Sequence, residues 1–502
     1  MKIFKVILGG SLLAIVVMGF MANSISGKQE EKAAMNTSPV VKADGVESKN
    51  EEWARYFPRQ YDSWKQTRKN DEITDMLEKK PQLAILWAGY GFAKDYNAPR
   101  GHFYGLQSNI NTLRTGAPVG PASGPMPTAC WTCKSPDVAR VIEEQGENEF
   151  FTGKWARLGD EIVNPIGCAD CHDSKTANLT ISRPYLKRAL EASGRNLAEI
   201  THQEMRSLVC AQCHSEYYFL PTEYTDAKGE KQVAKVVTFP WAEGLSAENM
   251  EDYYNGYGFK DWTHKISKAP MLKAQHPGYE IFSTGIHAKR GVSCADCHMP
   301  YKQEGAVKYS DHHIANPLEN IANTCLTCHR ESEEEFRTLV KTKFDRKEQL
   351  MELAMNSLAK AHLEAGRAWE AGATEGEMAD ILELIRSGQW MWDYSIASHG
   401  SFFHAPEETL RLLAVANDKA QQARLKIVAV LAAHNVFDYE APDFSTKEKA
   451  QKLAGVPLQE LVDEKLNFKN TLLKEWDQKA AEEGRLNLET RKGMSDNTSY
   501  SN

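Results

Sequence analysis

The chain has 502 residues, of which 42% are hydrophobic and 25% are charged, and its net charge is −8. This length allows one large domain or several smaller ones, and an acidic balance without any basic block argues against a nucleic-acid-binding protein. Only one apolar stretch approaches the length of a membrane span, and it lies at the N-terminus, which excludes a protein with several membrane spans.

The N-terminus has the pattern of an export signal. Lys2 and Lys5 precede an apolar run from Ile7 to Ala22, and small and polar residues follow it. We predict that residues 1–26 are a signal peptide or, since no clean A-x-A cleavage site is present, an uncleaved N-terminal anchor. Residues 27–52 are polar, which predicts a linker without a core.

The ten cysteines form five C-x-x-C pairs with none left over, and four of the pairs are followed directly by His. C-x-x-C-H is the attachment motif of c-type haem, in which two thioether bonds hold the porphyrin and the adjacent imidazole binds the iron. Disulfides give no reason for the repeated His, and zinc ribbons would be regularly spaced, whereas these pairs start 38, 42, 84 and 31 residues apart. The predicted attachment sites are Cys130/Cys133, Cys168/Cys171, Cys210/Cys213, Cys294/Cys297 and Cys325/Cys328, with His172, His214, His298 and His329 as axial ligands.

Regular structure is predicted to be mostly helical. Before Arg330, many Pro and Gly residues leave only short helices between the motifs, with a strand-like run at Val233–Phe239. After Arg330, long amphipathic patterns predict helices over Glu333 to Gly372, Glu375 to about Ser398, Pro406 to about Asn435, and Leu458 to Glu483.

The predicted fold class is mainly α, a multihaem cytochrome c fold with little β structure and long C-terminal helices. Residues 53–330 are predicted to form the pentahaem catalytic region, and residues 331–485 a long-helix region whose apolar stripes suit either packing on the haem region or a dimer interface. Residues 486–502 are predicted to be a disordered tail.

Eleven of the 15 histidines lie outside the motifs. Four low-spin electron-transfer haems would each use one of them as a second axial ligand. Spacing alone does not pair the spare histidines with particular haems, and the candidates are His102, His287, His312 or His313, and His399 or His404.

The first pair differs from the others because Lys134 follows Cys133 where they have His. A lysine amine has a pKa of about 10.4 and must lose its proton to bind iron. A haem singled out in this way is predicted to do something different from its neighbours. The alternative is that this pair carries no haem.

One C-x-x-C-K followed by four C-x-x-C-H, with the long gap before the fourth, resembles the ammonia-forming pentahaem cytochrome c nitrite reductases, from about Trp53 to about Arg485. The resemblance implies an oxidoreductase that reduces nitrite to ammonium in six electrons at a lysine-ligated haem fed by four bis-His haems, as in dissimilatory nitrate reduction to ammonium. It also implies a periplasmic homodimer that receives electrons from a membrane-associated or periplasmic, quinol-linked cytochrome.

The resemblance assigns roles around the unusual haem. Lys134 would be its proximal ligand, and Arg114, Tyr217 and His276 would be the distal catalytic groups. One calcium ion would be bound by the Glu216 carboxylate, the carbonyls of Tyr217 and Lys273, and the Gln275 side chain; such oxygen ligands suit a hard cation.

The family pattern also assigns the second axial ligands. His102 would serve the haem at Cys210/Cys213, His287 that at Cys325/Cys328, and His404 that at Cys294/Cys297. For the haem at Cys168/Cys171 the doublet leaves two choices, and we favour His312 over His313 because it directly follows Tyr309-Ser310-Asp311.

The chemistry of nitrite agrees with these residue types. An anionic substrate needs a fixed cation, which Arg provides, and stepwise protonation needs groups such as His and Tyr. Two other interpretations stay open: a non-catalytic five-haem electron-transfer protein, in which every iron is six-coordinate, and a multihaem reductase of another small oxyanion such as sulfite. The reductase of another oxyanion is favoured if Arg114, Tyr217 and His276 do not converge on the iron.

Overall fold

The structure is a computed structural model that describes residues 17–24, 26, 39–487 and 498–500. Most of the predicted export signal, and part of the predicted linker and tail, lie outside the described residues. Residues 17–24 are helical. Within the described ranges, no helix combines the length and the apolar character that a membrane span requires.

The fold is mainly α-helical, which confirms the predicted fold class. Most helices before residue 330 are short, whereas three of the later ones are long. The helices, labelled α1 to α21 in chain order, span Asn50–Trp53, Pro58–Trp64, Met76–Lys79, Gln82–Leu86, Gly105–Asn111, Asp137–Gln145, Glu147–Phe150, Cys168–Cys171, Pro184–Ala192, His202–Ala211, Ala247–Gly256, Gly278–Thr284, Ile286–Lys289, Cys294–His298, Glu333–Glu370, Glu375–Ala397, Ser401–His404, Pro406–Ala433, Lys447–Leu453, Leu458–Asn470 and Leu472–Glu482.

The described β structure consists of three antiparallel two-stranded sheets. The largest pairs β1, Tyr218–Thr225, with β2, Lys231–Thr238, and sets Tyr218 opposite Thr238. The strand-like run predicted at Val233–Phe239 lies largely in β2. Strands β1 to β6 span Tyr218–Thr225, Lys231–Thr238, Trp262–Thr263, Pro270–Met271, Tyr301–Glu304 and Val307–Ser310.

The long helices α15, α16 and α18 form a packed layer, with α18 in contact with both of the others. Capping boxes start two of them: Ser332 and Glu335 exchange hydrogen bonds at the start of α15, and Thr374 and Glu377 do so at α16. The prediction of one continuous helix from Leu458 to Glu483 is wrong, because two helices are present. Thr471, with φ −119° and ψ −96°, interrupts it and separates α20 from α21.

The helical layer is built into the rest of the molecule. Gln389 of α16 donates to the Leu86 carbonyl at 2.7 Å, and the ammonium of Lys273 forms a buried 2.8 Å ion pair with Asp393 of α16. The segment after α16 also carries His399 and His404. The long helices therefore hold parts of the candidate site in place.

Candidate haem and substrate site

Among the described residues, each of the four motif histidines has a partner histidine about 6 Å away, and His214 alone has a second, closer histidine neighbour in His276. The ring-centre distances are 6.4 Å for His102–His214, 6.2 Å for His172–His312, 6.3 Å for His287–His329 and 6.2 Å for His298–His404. Two imidazoles that bond one metal at about 2 Å each, with ring centres about 1 Å behind the bonding nitrogens, lie about 6 Å apart. The four separations therefore fit one iron between each pair.

The hydrogen bonds of these rings fit metal ligation as well. The Nδ1 atoms of His172, His298 and His312 lie 2.8, 3.0 and 2.8 Å from the backbone carbonyls of Ala177, Ala315 and Ser310. A carbonyl oxygen only accepts, so each Nδ1 must carry the proton and donate it. The lone pair of Nε2 is then left for a metal, which is the usual arrangement of ligating histidines.

The structure also distinguishes between the alternative histidines. His312 faces His172, whereas no ring contact joins His313 to a motif histidine within the described part of the chain. His404 faces His298, while the ring of His399 lies 6.0 Å from that of His276 instead. Gly285 packs so closely on the His404 carbonyl that any side chain there would collide with it.

The attachment motifs are close to one another. The thiol of Cys133 lies near that of Cys213, and the thiol of Cys210 lies near that of Cys294. Burial raises the pKa of Cys297 to about 12, and nearby Cys325 adds to this rise. The first, third, fourth and fifth motifs thus form a continuous series, in which each lies beside the next.

Cys328 differs from the other nine predicted attachment cysteines in its surroundings. It is exposed, whereas those nine are partly buried, so the structure does not enclose all ten positions alike. The physical reason is the place of the fifth motif at the end of the series, where its last residues, Thr327 to His329, lie at the protein surface. Haem attachment at Cys328 therefore stays a prediction, and a porphyrin bound there would have that edge open to solvent.

The three predicted distal groups lie around the Cys130–Lys134 motif. Burial raises the pKa of the Cys130 thiol to about 12, and the charges of Arg114 and Lys134 oppose this rise. Burial also raises the pKa of Tyr217, with the nearby thiols of Cys133 and Cys130 adding to the effect. For His276, burial lowers the pKa, and positive charge on neighbouring groups, Lys134 among them, lowers it further.

Contacts within the protein hold Arg114 in one position. Its Nε donates to the Thr112 hydroxyl at 3.2 Å, and its guanidinium carbon lies 4.1 Å from the centre of the Phe92 ring. No hydrogen bond to the described residues involves its two terminal nitrogens. These nitrogens can bind an anion.

His276 lies beside the third attachment motif, with its ring centre 4.4 Å from that of His214. Its Nδ1 is buried and has no hydrogen-bond partner among the described residues. An unpaired buried ring nitrogen is costly to maintain, so this atom is suited to contact a bound molecule.

The four predicted calcium ligands lie together. The Glu216 carboxylate accepts from the Gln275 backbone amide at 2.6 Å, and the Gln275 side chain lies 3.1 Å from the Lys273 carbonyl. Tyr217 adjoins Glu216 in sequence. Within the described residues, no group of three or more His, Cys, Asp or Glu side chains could hold a metal ion, so a cation here would depend on the carbonyl and amide oxygens.

Three further carboxyl groups near this cluster were missed from the sequence. Burial raises the pKa of Asp261 to about 7 and that of Glu280 to about 8, and it raises the pKa of Asp393 as well. One oxygen each of Glu280 and Asp393 is buried without a hydrogen-bond partner in the described structure. Burial favours the neutral acid form of these groups and of Glu216. A divalent cation bound beside them would favour the carboxylate form instead, and their oxygen atoms suit such an ion.

Comparison with known proteins gives consistent matches. The family model of cytochrome c552 matches residues 49–489. Cytochrome c-552 of Desulfotalea psychrophila is 70% identical over 500 residues, covering 100% of this chain and 98% of that protein. Cytochrome c-552 of Aliarcobacter butzleri is 53% identical over 502 residues, with all of both chains covered.

A solved structure is also similar. The cytochrome c nitrite reductase of Desulfovibrio desulfuricans superposes with a TM-score of 0.68 at 31% identity, covering 83% of this chain and 90% of that one. The catalytic subunit of that enzyme has two calcium sites.

Proposed function

The chain belongs to the cytochrome c552 family and is a cytochrome c nitrite reductase, and from this we propose that it reduces nitrite to ammonium at a haem whose proximal ligand is Lys134. The reaction consumes six electrons and eight protons, and it releases two water molecules. The observation that carries the proposal is the division among the five motifs. Four motif histidines each face a second histidine. The remaining motif, the first in the chain, ends in Lys134 and has Arg114, Tyr217 and His276 near it.

The residues fit five covalent haems. The five cysteine pairs would hold the porphyrins, and the iron ligands would be Lys134 and the four histidine pairs. When bound, the four bis-His haems supply electrons one at a time, and the Lys134 haem supplies the iron on which nitrite is reduced.

Arg114 binds the substrate anion in this proposal. Its guanidinium is permanently charged, and its two terminal nitrogens form a planar fork that matches the two oxygens of nitrite. Because the Phe92 ring and the Thr112 hydroxyl already hold the side chain, little conformational freedom is lost when the anion binds.

His276 and Tyr217 supply protons. The unpaired Nδ1 of His276 would hydrogen-bond to an oxygen or to the nitrogen of the substrate, and so would the hydroxyl of Tyr217. Each group would then donate protons as successive electrons reach the substrate. Both groups are partly buried and the Nδ1 atom of His276 is fully so, and reduced contact with water strengthens a hydrogen bond.

One calcium ion binds beside this pocket, held by the Glu216 carboxylate, the carbonyls of Tyr217 and Lys273 and the Gln275 side chain. It would favour the ionised form of Asp261, Glu280 and Asp393, against the effect of burial on the pKa of each group. Because its ligands adjoin both Tyr217 and His276 in sequence, it also keeps those two distal groups in register.

The protein acts in the periplasm as a homodimer and accepts electrons from a membrane-associated or periplasmic, quinol-linked cytochrome. The dimer is supported by two exposed apolar side chains on one side of α15. Leu339 and Leu353, about four helical turns apart, are 46% and 57% exposed. Exposed apolar side chains that share one side of a helix suit an interface. Fractionation of the source cells tests the location, and recovery with the cytoplasm would contradict it.

Reductive turnover with product analysis tests the function. Purified holoenzyme supplied with an artificial electron donor is expected to convert nitrite to ammonium, with six electrons consumed per molecule. Nitrite left untouched would favour the electron-transfer protein, and faster turnover of sulfite would favour the other oxyanion reductase.

Native mass spectrometry of the same preparation tests the composition. The expected mass is that of two chains, each with five haems and one calcium ion. Four haems per chain would contradict the assignment of the Cys130–Lys134 motif or of the Cys325/Cys328 motif, whose Cys328 is exposed. Peptide mapping of the haem-bearing segments tells the two apart. A monomer would contradict the proposed homodimer.

A further inference from the structure

We propose that Asp95 and Thr112 are positioning residues that hold the Arg114 side chain in place for anion binding. Neither residue belongs to an attachment motif or to the predicted calcium site. The inference rests on the proposed function, because it takes Arg114 to be the group that binds nitrite. Through these two residues the protein would set the orientation of the Arg114 guanidinium.

Thr112 connects Arg114 to Asp95. The Thr112 hydroxyl lies 2.7 Å from Oδ2 of Asp95, and its Oγ1 also accepts from the backbone N–H and the Nε–H of Arg114, at 3.4 and 3.2 Å. An ionised carboxylate only accepts, so the hydroxyl must give its one proton to Asp95. Its lone pairs are then directed to Arg114, and the carboxylate makes them stronger acceptors.

Asp95 is itself held from several sides. It is only 3% exposed, and Oδ2 also accepts from the Leu113 backbone amide at 3.1 Å. Oδ1 accepts from the Asn97 side chain at 2.9 Å and from the Ser499 hydroxyl at 3.0 Å. The C-terminal segment therefore contributes to fixing the carboxylate on which Thr112 depends.

The hydroxyl between Asp95 and Arg114 has an electrostatic consequence. Within the described structure Asp95 and Arg114 form no ion pair, so the carboxylate orients the guanidinium without neutralising it. A direct carboxylate–guanidinium pair would occupy the terminal nitrogens and compete with an anionic substrate. A neutral hydroxyl that contacts only Nε leaves both terminal nitrogens available.

Separate contacts hold the backbone of the turn that carries Arg114. The ammonium of Lys465 donates to the Ile110 carbonyl at 3.0 Å and to the Thr115 hydroxyl at 3.1 Å, and that hydroxyl donates to the Thr112 carbonyl at 2.9 Å. Loss of the Thr112 hydroxyl should therefore release the Arg114 side chain while the turn stays folded.

The test compares Thr112→Val with Thr112→Ser in the oxidised holoenzyme, without an electron donor. Nitrite and neutral hydroxylamine are titrated separately, and their dissociation constants are measured from the haem absorption. We expect Thr112→Val to weaken nitrite binding about tenfold, as the loss of a hydrogen bond to a charged group would, with hydroxylamine affinity changed less than about twofold. Thr112→Ser keeps the hydroxyl and is expected to restore nitrite binding.

Thr152→Val is the matched control, because it removes a threonine hydroxyl that bonds the Asn148 carbonyl and Tyr224. Within the described structure this hydroxyl bonds none of Asp95, Thr112 and Arg114. The control variant should change neither dissociation constant. If Thr112→Val does not incorporate haem, Asp95→Asn replaces it, with a smaller expected change in the same direction. An unchanged ratio of nitrite to hydroxylamine affinity in that variant would overturn the proposal.

A double-mutant cycle with Arg114→Ala separates this inference from the proposed function. We expect Thr112→Val to have no further effect on nitrite binding when Arg114 is absent. If Arg114→Ala alone leaves nitrite affinity unchanged, the distal role of Arg114 fails. If Arg114→Ala weakens binding but Thr112→Val does not, or if the two effects simply add, the positioning role of Thr112 fails.

Discussion

Single protons and charges decide what each side chain of the site can do. The Nδ1 protons of His172, His298 and His312 are committed to backbone carbonyls, which leaves each Nε2 for iron. In contrast, Nδ1 of His276 has no partner among the described residues. The Nδ1 of His404 is unpaired as well within the described structure, and its place opposite His298 is what indicates ligation there. His276 is distinguished from the ligands by its place beside the Lys134 motif together with its unpaired Nδ1.

His276→Asn should lower kcat for nitrite reduction by about 100-fold or more, which is a common contribution of a general acid. All five haems should remain bound in this variant. Haem absorbance per chain and steady-state kinetics measure the two effects. His202→Asn, at an exposed position on α10, is the control, and loss of haem from His276→Asn would show a structural role instead.

Residue identities at the site were predictable where the chemistry requires adjacent residues. Haem attachment needs C-x-x-C-H within five positions, so the motifs are visible in one chain, although the exposure of Cys328 is not. The Asp95–Thr112 contact joins residues 17 positions apart, and the carboxyl groups of Asp261, Glu280 and Asp393 come from three separate segments. An Asp or Glu in any of these segments is usually solvated, so no pattern in the sequence marked them.

At the scale of elements, helix packing holds the two halves of the chain together through a buried histidine pair. The rings of His264 and His362 stack with their centres 3.7 Å apart. His264 bonds the Ile85 carbonyl of α4 at 2.8 Å, and His362 of α15 bonds Ser267 at 2.8 Å and Gln389 of α16 at 2.7 Å. Every partner is neutral, so the network is stable only with both rings uncharged.

This network predicts a loss of stability in acid. Burial lowers the pKa of His362 to about 4 from its usual 6.5, and burial also lowers that of His264. Below pH 6.5 the unfolded chain binds protons that the folded chain does not, so the free energy of unfolding falls as the pH drops towards about 4. The His362 contribution to this fall is about 3 kcal/mol.

Urea unfolding at a series of pH values measures the effect. In His362→Gln the free energy of unfolding should be lower at neutral pH and should fall less steeply in acid than in the wild type. His202→Gln serves as the exposed control. Parallel pH curves for the wild type and His362→Gln would contradict the account.

Element boundaries were predictable where sequence signals were strong. The helix predicted from Glu333 to Gly372 is observed as Glu333–Glu370, because a capping box marks its start and Gly372, with a positive φ, follows its end. The break at Thr471 was missed, since no Pro or Gly interrupts the apolar pattern there. Strand β1 was missed as well, because its pairing with β2 is decided by the hairpin and not by the Tyr218–Thr225 segment alone.

For the whole molecule, the helical layer and the haem region form one functional unit. His404 follows α16 in the helical layer, yet its ring faces His298 of the fourth motif. Asp393 of α16 pairs with Lys273 beside the predicted calcium ligands. The predicted division at residue 330 therefore describes a change in helix length, while the candidate site draws its residues from both sides of it.

The coordination of the Lys134 haem is the most direct test of the central claim. Electron paramagnetic resonance of the oxidised holoenzyme, recorded with and without added nitrite, distinguishes an iron with an exchangeable position from one with two fixed ligands. The account predicts that one haem of the five responds to nitrite while four remain low-spin, and that Lys134→His keeps all five haems but alters this one signal. Five low-spin haems, none of them altered by nitrite, would contradict the account.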